Sequence, residues 1–229
     1  MSAIAIIPAR GGSKRIPRKN IRTFRGKPII AYSIEAAINS KLFDYIMVST
    51  DDTEIAEVAR SYGAQIPYFR SAENSNDHAT TADVLLEVLS KMKADRQFFR
   101  YVCCIYPTAP FLNVQNLSWA FNTMVEGKFD SVFPVCDFGF PIQRALTLGE
   151  NNAVSMIWPE NMNKRSQDLR KAYHDAGQFY WLSVESFFKH KTVYCPNAGA
   201  ITLDAMYVQD IDNEMDWQIA ELKHAVRFG

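Results

Sequence analysis

The chain has 229 residues, 48% of them hydrophobic and 22% charged, which is enough for one domain with a substantial core and excludes a disordered or low-complexity protein. Twenty-five basic and twenty-five acidic residues cancel, so a generally basic nucleic-acid binder and an acidic tail are excluded as well. No apolar run reaches the ~18 residues that a membrane-spanning helix needs. The first element in the chain is the isoleucine-rich run AIAIIP at residues 3–8, of the kind that fits a strand buried on both faces. The opening MSAIAIIPAR has neither a basic n-region nor a small-residue cleavage site, so no secretory signal is expected. A glycine-containing basic loop follows, and the spacing of Ile30, Ile34 and Ala37 after Pro28 predicts a helix entered through proline. DYIMVST at residues 44–50 reads as a second strand. Asp52 is placed to cap the amphipathic helix TEIAEVARSYG, which Gly63 closes.

Farther along, a short strand is expected near residues 66–69, then a loop carrying Asp77 and Thr80, then a helix over ADVLLEVLSKM. YVCCIY at residues 101–106 reads as another buried strand, a helix is expected around residues 117–125, and SVFPV at 131–135 is a further strand. Cys103 and Cys104 are adjacent while Cys136 and Cys195 stand alone. With neither a CxxC pair nor a disulfide framework, reduced thiols and a cytoplasmic location are expected. The alternation of strand and helix predicts an α/β fold with a Rossmann-like, mainly parallel sheet flanked by helices. It breaks after Val135. Residues 136–176 carry short β-like runs around a GENN turn together with Phe138, Phe140, Ile157 and Trp158, which we read as an inserted β-containing arm suited to a dimer contact. GQFYWLS at 177–183 resumes as a strand, residues 184–190 as a short helix, and MDWQIAELKHAV as a terminal amphipathic helix. The expectation is one domain over residues 1–229, with the arm at about 136–176.

The balanced charge hides a separation. Residues 1–34 hold Arg10, Lys14, Arg15, Arg18, Lys19, Arg22, Arg25 and Lys27 and no acid, which leaves 17 basic against 25 acidic residues in the remainder. Between Thr192 and Leu222 the chain has six acids and no Lys, Arg or His. A cationic loop and a carboxylate pair brought together by a fold would suit a polyphosphate with its divalent metal; taken separately, each run also fits a solvated surface. Within ARGGSKRIPRKN, residues 9–20, glycines permit close backbone approach, Ser13 can hydrogen-bond, and Arg10, Lys14 and Lys19 offer charge to phosphate oxygens. The segment is neither a dinucleotide fingerprint nor a Walker loop, and with no aromatic residue before Phe24 it lacks the stacking platforms of a nucleic-acid surface. If QDID at 209–212 continues a strand, Asp210 and Asp212 share one face and can ligate a hard divalent ion; alternatively, Asp212 caps the terminal helix. The four histidines form no zinc-binding spacing.

IPARGGSKRIPRKN resembles the N-terminal signature of the cytidylyltransferases that activate nonulosonic acids. VSTDD at 48–52, FRSAENSNDHATTADV at 69–84, YPTAPF at 106–111 and VQDIDNEMD at 208–216 follow in that family's order, so the resemblance spans nearly the whole chain. It implies that Arg10, Lys14 and Lys19 hold the triphosphate and stabilise departing pyrophosphate, with Gly11, Gly12 and Ser13 alongside. It further implies that Asn20, Arg70, Ala79 and Thr81 lie near the nucleoside and that Asp210 and Asp212 bind Mg2+. Arg70 could alternatively be a surface residue in an ion pair. The acceptor site is expected in residues 165–180. There Tyr173, His174, Asp175, Ala176 and Gly177 replace the arginine and asparagine of sialic-acid members, and Tyr106 replaces a glutamine. The combination RSQDL…YHDAG is similar to the pseudaminic acid branch, with Arg165 as a clamp for the sugar carboxylate and Gln167, His174 and Asp175 as contacts to its other groups; His174 and Asp175 could equally form a turn. The implied reaction is attack of the sugar's anomeric hydroxyl on the α-phosphate of CTP, in a homodimer binding neither membrane nor nucleic acid. CMP-sialic, CMP-legionaminic and CMP-Kdo synthesis are the near alternatives, and a non-catalytic nucleotide- or RNA-binding module is the alternative of another class.

Overall fold

The computed structural model describes residues 2–229. Along the chain, β1 (Ala3–Pro8) is followed by a small hairpin of β2 (Thr23–Phe24) and β3 (Lys27–Pro28), then α1 (Ile29–Ser40), β4 (Tyr45–Ser49), α2 (Thr53–Ser61), α3 (Thr81–Ala94), β5 (Tyr101–Ile105), α4 (Val114–Glu126) and β6 (Ser131–Asp137). A second hairpin, β7 (Leu146–Leu148) and β8 (Val154–Met156), precedes β9 (Tyr173–Asp175), β10 (Phe179–Ser183), α5 (Val184–His190), β11 (Ala198–Leu203) and α6 (Glu214–Phe228). The main sheet runs β11-β6-β10-β5-β1-β4, with β9 also on β6. It is mainly parallel, but β10 and β9 run antiparallel to their neighbours.

β1 shows how the sequence dictates this layering. Ala3, Ala5 and Ile7 enter the core that α1, α2 and α4 cover, while Ile4 and Ile6 enter the core under α3 and α5, all fully buried. A strand with no polar face must have neighbours on both edges and helices on both faces, and β1 lies parallel between β4 and β5. The helices start where short polar side chains can occupy their first free N–H groups. Asp52 accepts from Ile55 N on α2, and Thr80 with Asp83 and Asn213 with Asp216 form capping boxes on α3 and α6. Gly63 ends α2 at φ +95°, a conformation that a side chain would strain.

Three expectations need correction. No strand forms at 66–69; Gln65 alone bridges to Met47 before the chain turns away. QDID is not a strand either, because the Asp216 carboxylate accepts from Asp212 N and Asn213 N and draws the segment into the start of α6. Asn213, not Asp212, is therefore the cap. β11 and the β2–β3 hairpin have no counterpart in the expected elements. At the ends of the arm, residues 136–137 and 173–175 are paired in the main sheet, and the excursion itself occupies residues 138–172. The turn expected at GENN joins β7 to β8.

The chain leaves β1 toward α1 and β4 on one side, and β5 lies on the other. This reversal opens a crevice at the carboxyl ends of β1 and β5.

Candidate active site

Two isoleucines explain why the cationic loop and the acidic segment meet. Ile16 is the sole aliphatic side chain in RGGSKRIPRKN and Ile211 the sole one in QDIDNE. Both are fully buried in one cluster with Phe24, Ile29, Phe111, Trp217 and Ala220. Burying each contributes roughly 1.5–3 kcal/mol, and their charged neighbours are thereby turned outward into a common cleft. The loop is braced from its other side. Gly11 N donates to Asp51 Oδ1 at 2.9 Å, and a Cβ at Gly11 would meet Asp52 Oδ2 at 2.7 Å, so only glycine allows this approach. Arg18, at φ 55°, reaches both Asp52 oxygens, and this guanidinium holds the Asp52 carboxyl at about 2. Asp51 and Asp52 of VSTDD thus brace the loop.

The cleft measures about 510 Å³ and is lined by Arg10, Ser13, Lys14, Lys19, Asp210 and Asp212, with Tyr106 from the end of β5 on its wall. Lys19 Nζ donates to Ile211 O at 2.6 Å and lies 3.9 Å from Asp212. Its burial lowers the lysine pKa, against the opposing pull of Asp212 and Asp210. Arg15 meets Asp212 at 2.8 Å. Burial raises the Asp210 pKa, and the Asp212 charge adds to the effect. Across the cleft, Asp77 accepts from Arg10 at 2.8 Å and from Lys14 at 2.5 Å, and these bonds, Lys14 first, lower its pKa. Its carboxylate occupies the position of an anion between the two cations.

The predicted residues divide into four groups. Arg10, Ser13, Lys14, Lys19, Asn20, Asp210, Asp212 and Tyr106 converge on the cleft, where Asn20 Nδ2 also fixes Arg10 O at 2.9 Å. Gly11, Gly12, Arg70, Ala79 and Thr81 lie outside its lining. Arg70 is buried rather than on the surface, donating to Ser49 Oγ at 3.1 Å and to Ser49 O. Ala79 N donates to Asn76 Oδ1, and Thr81 Oγ1 is 3.2 Å from Tyr106 Oη. His174 and Asp175 are in β9 rather than a turn, and border a second cavity of about 420 Å³ that shares Asp210 with the first. Tyr173 is half exposed beside them. Arg165 is exposed and paired with Asp168 at 2.9 Å, Gln167 lies in the same turn, and neither lines either of these two cavities.

Asp77, Ile16 and Ile211 were not identified from the sequence as site residues. The isolated aliphatic residue inside each charged run was the available signal for the two isoleucines. Among the described residues no group of three or more His, Cys, Asp or Glu is gathered as for a metal. The two aspartates that line the cleft nevertheless suit a hard ion, since they offer only oxygen donors and a cation would relieve the mutual repulsion and burial of Asp210.

A family model described as cytidylyltransferase matches residues 4–224. The pseudaminic acid cytidylyltransferase of Campylobacter jejuni strain 81-176 is 43% identical over 99% of this chain and 97% of its own. The CMP-N,N'-diacetyllegionaminic acid synthase of Legionella pneumophila is 31% identical over 96% of this chain and 95% of its own. Among solved structures, a CMP:2-keto-3-deoxy-manno-octonic acid synthetase complexed with CTP superposes with a TM-score of 0.71 at 17% identity, covering all of both chains, and so shares the fold.

Proposed function

The chain belongs to the cytidylyltransferase family, and from that premise we propose that it transfers CMP from CTP to the anomeric hydroxyl of pseudaminic acid and releases pyrophosphate. The observation that carries the chemistry is the meeting of Arg10, Lys14 and Lys19 with Asp210 and Asp212 across one cleft. The choice of acceptor is supported by the 43% identity to an enzyme named for pseudaminic acid.

The chain's own groups account for most of the work. Arg10 and Lys14 are free to exchange Asp77 for phosphate oxygens and to offset the charge that accumulates on the leaving pyrophosphate. Lys19, fixed by Ile211 O and Asp212, presents its ammonium without reorganisation. Tyr106 forms the wall against which the sugar aligns its hydroxyl for direct attack on the α-phosphorus, with no covalent enzyme intermediate. Asp210 and Asp212 would hold Mg2+, which supplies charge neutralisation to the phosphate oxygens when bound. Asn20, Arg70, Ala79 and Thr81 are assigned to the nucleoside side, where Arg70 acts through the β4 end it braces.

The arm is assigned to a homodimer contact, supported by Phe140, Leu148 and Val154, which are 87%, 70% and 60% exposed. Arg165 and Gln167 would then serve the partner's acceptor site. A cytoplasmic location is supported by the four free, buried cysteines, and among the described residues no helix is long and apolar enough to cross a membrane. The test is incubation with CTP, Mg2+ and pseudaminic acid beside sialic, legionaminic and 2-keto-3-deoxy-manno-octonic acids, reading pyrophosphate release. Pseudaminic acid should give the highest kcat/KM. Saturable CTP binding with every acceptor inert would support the non-catalytic module instead.

A further inference from the structure

Asp77 stands between two cations that the proposed chemistry needs for phosphate. Its Oδ1 accepts from Arg10 at 2.8 Å and its Oδ2 from Lys14 at 2.5 Å, and the same Arg10 nitrogen reaches Asn76 O at 3.1 Å. One carboxylate oxygen on each cation is a two-point arrangement of the kind that a phosphate group offers. The side chains of Arg10, Lys14 and Asp77 are 39%, 79% and 46% exposed, and ion pairs this open to water are weak. A polyphosphate bears several charges and can displace Asp77. Asp77 bears one and cannot keep a polyphosphate out.

Displacement does not carry Asp77 away, because bonds that involve neither cation tie its segment down. Ser71 and Asn74 donate to Glu87 on α3, Asn76 Oδ1 accepts from His78 N at 2.7 Å and from Ala79 N at 3.1 Å, and Thr80 is the cap of α3. The carboxylate thus stays tethered within reach of Arg10 and Lys14. A tethered group competes at an effective concentration in the millimolar range, far above its own concentration in solution.

CTP and pyrophosphate meet this competitor on unequal terms. CTP is held through its nucleoside as well as through the phosphates that Arg10 and Lys14 meet. Once the link between the α- and β-phosphates breaks, pyrophosphate loses every contact made through the nucleoside. Resting on the function proposed above, we infer that Asp77 is a tethered competitor for the phosphate subsite of Arg10 and Lys14 and so weakens the cleft's hold on departing pyrophosphate. It lowers the affinity of every ligand that uses both cations by one common factor. CTP keeps its nucleoside contacts against that loss, whereas the leaving group has none to set against it.

The test is isothermal titration calorimetry of the wild type and Asp77→Asn with pyrophosphate, CTP and CMP, with Mg2+ present throughout. The substitution keeps the size of the side chain and removes its charge. It should tighten pyrophosphate and CTP by the same factor, about threefold to tenfold, the scale of weak exposed ion pairs. CMP lacks the β- and γ-phosphates and should stay within about twofold. Glu73→Gln is the control, since Glu73 is exposed on the same segment and carries the same charge; it should leave pyrophosphate binding within about twofold. Unchanged or weaker pyrophosphate binding in Asp77→Asn would make Asp77 a brace for the two cations and overturn the inference. Equal tightening in Glu73→Gln would reduce the effect to net charge and overturn it as well. No acceptor sugar enters these titrations, so a wrong acceptor leaves them intact. A wild-type protein that binds neither CTP nor pyrophosphate contradicts the proposed function instead, and the two failures are distinguishable.

Discussion

In the cationic loop a single isoleucine, Ile16, is fully buried with Phe24 and Ile29 nearby in the chain and with Phe111, Ile211, Trp217 and Ala220 from far along it, whereas in the arm Phe140, Leu148 and Val154 face outward and, among the described residues, β7 and β8 pair with each other alone. The difference shows where each region finds its rigidity. The cleft obtains it from within, because Ile16 and Ile211 share one core and force the charges beside them into register. The arm displays apolar side chains that its own chain leaves uncovered, and a second surface is the natural partner for them. Side chains of the same kind should therefore have opposite consequences when altered in the two regions.

The largest effect is expected at the charge that the cleft core presents. Lys19→Ala should lower kcat by about 10²–10³, the range for removing one preorganised donor from a transition state. Steady-state assays with varied CTP would check it, and unimpaired turnover with unchanged CTP affinity would contradict the role given to Lys19. Next comes the core itself. Ile211→Ala leaves a cavity between Ile16 and Trp217 and should cost about 2–4 kcal/mol in urea-induced unfolding, with weaker CTP binding as the two aspartates lose their register. A loss of stability without any change in CTP affinity would separate the core from the cleft and break the comparison.

A smaller effect is expected from acid. Burial pushes the Glu87 carboxyl up, but hydrogen bonds from Lys91, Asn74 and Ser71 outweigh it and hold the group at about 2, below its ordinary 4.5. Those bonds tie the segment leading to Asp77 onto α3. A depressed folded-state value means that the contribution is fully present above pH 4.5 and is lost as the pH falls toward 2. Thermal melts across that window should show a decline of roughly 1–2 kcal/mol that Glu87→Gln flattens.

How far all this was legible depended on the range of the contact. β1, α2 and α6 could be read because their signals are local: an unbroken isoleucine run, an aspartate cap with a closing glycine, and a polar start before an amphipathic repeat. The family could be read from ordered motifs, and the match over residues 4–224 bears it out. β11 was missed because AGAITL buries only Ile201 deeply and carries a glycine, so it gives little strand signal. The strand expected over QDID did not form because a side chain four residues on, Asp216, captures its backbone. Asp175 was identified without its partners, since Tyr194 lies 19 residues away and nothing in the spacing announces that two tyrosine hydroxyls share its carboxylate as acceptor.

The smallest effect on the isolated chain is expected in the arm. Leu148→Ser removes an apolar side chain that is 70% exposed in β7 and has no place in the main core, so urea unfolding at low protein concentration should shift by no more than about 0.5 kcal/mol. If the arm is the contact between two copies, the same substitution should shift sedimentation toward the monomer and make activity depend on protein concentration, because Arg165 and Gln167 reach an acceptor site only across that contact. Ile211→Ala should do the reverse, losing stability while leaving the sedimentation of the folded fraction unchanged. A Leu148→Ser protein that remains a dimer with concentration-independent activity would remove the arm from the contact, and Arg165 and Gln167 would then have no route to the sugar.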